Sequence, residues 1–310
     1  MAVYDQAGRY AIKRRPSAFF TWRAAPLWLA WKFVRWQDTR TLPFPGEPDR
    51  VCDTVAEFEH QADPRQRCLV DVEVQAKPDA DMLERLGEYG FRLRRELRYG
   101  PGAAGKYPAL SLVLNLTGAE QPSGLDMTLP EWSAAGQWLQ VGQATLSAED
   151  AGPTLARIAA GELERWVLPW LPLLRGAAKP ANMAEWKRLA AQEPESRSRY
   201  EFGGLALVFA VLAGMDSVWR KALQGWNMTE CSIVNEWQDA ARFETRMEDL
   251  RRALRLRFGM PVPADLEDQL AAIKRKAELD RWFDASLTAP SLDAFRAAVQ
   301  NGRRKRKRSK

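Results

Sequence analysis

The sequence predicts an α/β (α+β) fold, with a mixed β-sheet flanked by helices over residues 1–148 and a mostly helical C-terminal half. Three observations predict it. Side chains from Cys68 to Gln75 alternate strictly: Cys68, Val70, Val72 and Val74 share one face, and Asp71, Glu73 and Gln75 share the other. Leu110, Leu112, Leu114 and Leu116 repeat that two-residue period. Beyond Glu149 the apolar spacing becomes helical almost to the end of the chain.

Residues 3–36 are expected to be helical, with Phe19, Phe20, Trp22, Trp28, Trp31, Phe33 and Trp36 set among basic residues. Docking against a core accounts for these aromatics; stacking on nucleic-acid bases is their other use. Three prolines between Thr41 and Pro48 make a loop. β-branched residues then favour an extended segment over Arg50–Glu59 that carries Asp53, and His60–Arg67 has turn composition. A helix is expected from Pro78 to Tyr99, with Met82, Leu86, Tyr89 and Leu93 spaced for burial and arginines near its end complementing the helix dipole. A further strand is expected over Trp138–Leu146, so strands and helix succeed one another as in a mixed sheet.

Helices follow near 149–172, 181–192, 198–213, 215–225 and 228–258, broken by Pro, Gly and Asn. Residues 149–258 thus form a helical region. Residues 259–299 form a small helical module with Trp282 and Phe283 as core anchors, and 300–310 a disordered basic tail. Seven of the 46 basic residues lie in Arg303–Lys310, leaving 39 against 40 acidic residues elsewhere. Such a tail would neutralise phosphates without reading sequence, or serve only as a solubilising end.

Cys52, Cys68 and Cys231 show no paired spacing, so neither a disulfide framework nor a thiolate zinc site is expected. His60 is the single histidine, which removes any histidine metal cluster. The longest apolar stretch, Gly203 to Gly214, is 12 residues and too short to span a bilayer. A cytoplasmic protein without a membrane partner is the expectation.

Carboxylate chemistry remains. Asp53 and Glu73 lie 20 positions apart, a separation that two strands and a turn could bridge, and Gln75 shares the face of Glu73. Such a pair could hold Mg²⁺, which prefers oxygen ligands and retains several waters. The alternative is a solvated polar face on an edge strand. Asp71 is a rival ligand on that face, better explained as a solvated strand residue.

Arg50-Val51-Cys52-Asp53-Thr54-Val55, Val70-Asp71-Val72-Glu73-Val74-Gln75 and Asp81-Met82-Leu83-Glu84-Arg85-Leu86-Gly87-Glu88-Tyr89, in that order, resemble the nuclease core of the Rpn/YhgA-like transposase and nuclease family of the PD-(D/E)xK superfamily. Gly105-Lys106-Tyr107-Pro108 resembles the next family segment, and Tyr4-Asp5 with Arg9 its start. Leu250–Gly259 followed by Pro263–Phe283 is similar to a small domain at the end of many such proteins.

The resemblance implies a restriction-endonuclease-like core and a Mg²⁺-dependent DNA endonuclease linked to mobile elements or recombination. It implies Asp53 and Glu73 as metal ligands and catalytic residues, with Gln75 where the superfamily has lysine. Glutamine lacks the lysine charge but can hydrogen-bond a water. The alternative is a noncatalytic DNA-binding or assembly protein that keeps the fold, in which Trp226–Phe258 could act as a homodimer helix, although packing within its own chain is the simpler account of that segment. Arg85 and Tyr89, four apart on a helix, and Asp5, an N-terminal cap, are more simply structural.

Overall fold

A computed structural model describes residues 3–37, 54–99, 109–119, 124–126, 139–226 and 232–307. Its backbone begins with α1 (Val3–Arg14), α2 (Pro16–Arg23) and α3 (Ala25–Ala30), then turns into strand β1 (Trp31–Trp36). β1 departs from the helical expectation for 3–36. Its Trp-Lys-Phe-Val-Arg-Trp run has aromatic and β-branched residues suited to a strand, and antiparallel pairing with β2 (Val55–His60) fixes it as one.

β2 pairs antiparallel with β3 (Arg67–Gln75), and α4 (Met82–Tyr99) then carries the chain over to β4 (Ala109–Asn115), parallel to β3. β5 (Gly124–Asp126) and β6 (Leu139–Thr145) complete the mixed sheet in the order β1-β2-β3-β4-β6-β5, with β6 parallel to β4. The expected α+β class is therefore observed. β3 is an interior strand, hydrogen-bonded on both sides, and its polar face is no edge-strand surface. That face lies beneath α4, where Val55, Leu69 and Val113 form a core with Met82, Leu86, Tyr89 and Leu93.

The opposite face meets the first helices. Gly8 of α1 comes so close to β3 that a Cβ there would lie 2.7 Å from Val74 Cγ1. Val74 is buried and stiff at χ1, so it cannot yield cheaply. Gly8→Ala is expected to lower the unfolding free energy by about 1–2 kcal/mol, overpacking outweighing alanine's better helix propensity. Urea titration tests this, and Val74→Ala should restore the loss; a stabilised Gly8→Ala would show that α1 has room.

Helices α5 (Ala151–Ala159), α6 (Pro180–Ala191), α7 (Ser196–Leu212) and α8 (Asp216–Ala222) accompany a 3-10 helix over Arg165–Leu173. Trp166 to Leu173 is buried throughout, and Trp170 stacks on Phe209 of α7 at 4.9 Å. α7 also buries Glu201, whose carboxylate accepts from Tyr10 Oη at 3.0 Å, Arg14 Nε at 3.1 Å and Arg197 Nε at 3.0 Å. Three donors satisfy the buried charge and tie α1 to α7. Residues 149–226 consequently belong with the sheet, where the sequence suggested a boundary at 148/149.

The chain divides into two compact units, Met1–Gln238 and Asp239–Lys310, the division falling inside α9 (Ser232–Phe258). The second unit adds α10 (Ala264–Ala271), α11 (Lys276–Thr288) and α12 (Leu292–Lys307). Leu250 and Leu254 of α9 pack with Leu266, Leu270, Leu279, Trp282 and Phe295, so this apolar face of α9 is engaged within its own chain, the simpler of the two uses the sequence suggested for it. Trp282 meets Phe295 edge-on at 5.9 Å, and Phe283 packs against the same core, as the sequence suggested. Gly259, at φ 66°, terminates α9 in the left-handed region that glycine adopts without strain. α12 continues as helix through Lys307, where like charges suggested disorder from residue 300. Among the described residues no helix is long and apolar enough to cross a membrane.

Candidate functional site

β3, β4 and β6 run parallel, and ligand sites in open sheets favour the carboxyl ends of such strands. Their register lines up three polar rows on the α4 side of the sheet. Asp71 lies beside Ser111; Glu73 shares its row with Val113 and Gln143; Gln75 shares the last with Asn115 and Thr145. Adjacent rows are about 6.6 Å apart along a strand.

Burial distinguishes these rows from an ordinary solvated strand face. Asp71 is 0% exposed and Glu73 4%, whereas Gln75 is partly open. The expectation that Asp71 is a solvated residue is thus overturned: α4 covers its face and strands flank β3 on both sides. Ser111, Asn115 and Thr145 are buried too. Asn115 Nδ2 donates to Thr145 Oγ1 at 3.5 Å, while Asn115 Oδ1, Ser111 Oγ and Thr54 Oγ1 are buried without a hydrogen-bond partner among the described residues. Buried oxygen acceptors of this kind are costly unless another group satisfies them.

Loops pin the carboxyl ends of the three strands. Leu116 N–H donates to Gln75 O at 2.7 Å, Thr117 Oγ1 to Ala76 O at 2.7 Å, and Ser147 Oγ to Gly118 O at 2.8 Å. Gly118 has φ 110°, and a Cβ there would stand 2.5 Å from Pro78 Cδ, so the β4 loop passes Pro78 at a distance only glycine permits.

Of the residues singled out in the sequence, Glu73 and Gln75 fall on this face together, and Asp53 lies outside the described residues. The antiparallel register advances toward Glu73 as the chain is followed back from Val55, opposite Asp71, to Thr54, whose carbonyl accepts from Val72 N–H at 2.8 Å. Tyr89 is buried in the α4 core, and Arg85 pairs with Asp79 at 3.0 Å, in keeping with structural roles. Gly105 to Pro108 also lies outside the described residues.

Ser111, Gln143 and Thr145 were not singled out in the sequence, nor was Asn115. The alternation of Leu110, Leu112, Leu114 and Leu116 held their signal in part, because it assigns Ser111 and Asn115 to the opposite face.

Two further ionisable groups sit nearby. Glu57 of β2 accepts from Arg35 Nε at 2.8 Å, Gln37 Nε2 at 2.7 Å and Arg67 Nη1 at 2.5 Å. Burial alone would raise its pKa, but the two guanidinium groups outweigh burial and hold it below the ordinary carboxylate value. Cys68, on the other face of β3, is buried, which pushes its thiol up to about 12 and keeps it protonated near neutral pH.

Among the described residues no group of three or more His, Cys, Asp or Glu could hold a metal ion. The donors that are present are nonetheless all oxygen: two buried carboxylates with neighbouring hydroxyl and amide oxygens. Oxygen donors of this kind are what a hard cation such as Mg²⁺ would take, whereas a thiolate-bound metal would find no thiolate among them. No family model, no curated protein and no solved structure matches this chain.

Proposed function

We propose that the chain is a Mg²⁺-dependent DNA endonuclease of the recombination-promoting nuclease type. The observation that carries the reading is a buried Glu73 on an interior strand, followed by a partly open Gln75, at the carboxyl ends of three parallel strands. The ordered resemblance of the Asp53, Glu-x-Gln and α4 segments supports it from the sequence. Glu73 and Asp53 would hold the cation, which supplies polarisation of the phosphate and a water acidic enough to attack near neutral pH.

The chain's own residues do the rest. Rigid β3 backbone, paired on both sides, presets the Glu73 carboxylate, while Asn115, held by Thr145, borders Gln75 on the neighbouring strand. Gln75 orients a water through its amide, contributing a dipole where lysine would contribute charge. Burial beneath α4 limits bulk water around Glu73, so electrostatic interactions there are weakly screened.

Supercoiled plasmid tests the proposal directly. Nicking is expected with Mg²⁺ and not with EDTA, and to fall by at least about a hundredfold in Asp53→Ala and in Glu73→Ala. Glu73→Gln preserves shape and guards against misfolding as the cause. Equal nicking by the parent and these variants would overturn the assignment. DNA binding without metal-dependent nicking would favour the noncatalytic reading of the same fold.

A further inference from the structure

The last polar row at the carboxyl ends of the parallel strands runs Gln75, Asn115, Thr145, one residue from each of β3, β4 and β6. We propose that Asn115 is a positioning residue: its Oδ1 accepts a hydrogen bond from Gln75 Nε2 and so turns Gln75 Oε1 outward, toward the attacking water. The inference rests on the endonuclease reading and deepens it, because it says which end of the Gln75 amide meets the water and what holds it there.

The middle residue of the row is the constrained one. Asn115 is 0% exposed, and its Nδ2 donates to Thr145 Oγ1 at 3.5 Å, on the β6 side. The oxygen and nitrogen of an amide diverge from one carbon, so Oδ1 is directed away from Thr145. That oxygen is buried and has no hydrogen-bond partner among the described residues. A buried acceptor left in this state is costly.

Gln75 is the neighbour of Asn115 on the side away from Thr145, and in-register strands stand about 4.8 Å apart. Leu116 N–H, donating to Gln75 O at 2.7 Å, keeps β3 and β4 paired to the end of the row. Gln75 is partly open, and rotation about its own side-chain torsions brings Nε2 to Asn115 Oδ1 without movement of the backbone.

An amide donates at one end and accepts at the other. With Nε2 given to Asn115, the open end of Gln75 is an acceptor. A water that donates to Oε1 keeps a lone pair free for the phosphate, whereas a water held by Nε2 would have spent it. Asn115 touches neither water nor phosphate and acts only through Gln75. A buried water on Asn115 Oδ1 is the competing arrangement, and it would leave Gln75 free to turn either end outward.

The test is hydrogen exchange at the Gln75 side-chain amide, followed by NMR on the full chain carrying isotope-labelled glutamine, without metal. Loss of its signals in Gln75→Ala identifies them. Exchange in the parent is expected to be at least about tenfold slower than at exposed glutamines, and to reach their rate in Asn115→Leu, which keeps the shape and loses the acceptor. Thr145→Val frees the Asn115 amide to turn and should give a smaller rise. With Mg²⁺ and supercoiled plasmid, Asn115→Leu is expected to lower kcat about tenfold with KM unchanged, and to cost nothing further in a Gln75→Ala background. Slow exchange that Asn115→Leu leaves unchanged would overturn the proposal, as would losses of the two variants that simply add. Slow exchange in a protein that nicks no plasmid would sink the endonuclease reading alone, and free exchange in one that does nick would sink this inference alone.

Discussion

Trp170→Ala is expected to lower the unfolding free energy of the first unit by about 3–5 kcal/mol. The indole is almost fully buried and joins elements remote in sequence: it stacks on Phe209 at 4.9 Å, lies 6.3 Å from both Phe19 and Trp22, and approaches Gly8 of α1. Deleting it removes buried area and leaves a cavity walled by a helix, a 3-10 helix and two N-terminal helices that cannot all collapse inward. Trp170→Phe keeps a ring over Phe209 and should cost much less. Urea unfolding followed by near-ultraviolet dichroism checks the size of the loss. Since Trp282 and its core lie in the second unit, unfolding of that unit should be unaffected. A loss under about 1 kcal/mol would mean that the site repacks around the missing ring.

Glu57→Gln is expected to cost about 2–4 kcal/mol at neutral pH. Breaking a buried charge pair ordinarily costs about 3–5 kcal/mol, and the figure is reduced because Arg35 and Arg67 retain solvent contact. The sign of its pH dependence follows from the lowered folded-state pKa. An unfolded glutamate titrates near 4.3, so the network's contribution is complete above that value and is lost as pH falls through the lower, folded value. The gap in unfolding free energy between parent and Glu57→Gln should therefore be level from about pH 8 to pH 5 and shrink below about pH 4. A gap that widens on acidification would reverse the assignment.

Much of the sheet was legible because a strand period survives even a mixed environment. β3 showed alternating valines, and β4 showed alternating leucines. The degree of burial was not legible, because alternation states which residues share a face and not what covers it. Asp71 therefore looked solvated, and the enclosed setting of Glu73 was not visible, although α4 and two flanking strands enclose both.

β1 escaped for another reason. Its Trp, Lys, Phe and Arg residues suit either helical or extended backbone over six positions, and pairing with β2 decides between them. Asn115 and Thr145, 30 positions apart, become neighbours only through the parallel pairing of β4 and β6, which no local pattern encodes.

The Glu201 clamp also bears on how the chain is made. Tyr10 and Arg14 reach a carboxylate 191 and 187 positions later. At synthesis rates of about 5–20 residues per second, α1 emerges roughly 10–40 s before its anchor exists. During that interval Tyr10 and Arg14 lack their carboxylate, although α1 can already meet Val74 of β3 through Gly8 and α2 can already meet Phe58 through Phe20. A pause in translation before α7 would prolong that interval, and one after α7 would not.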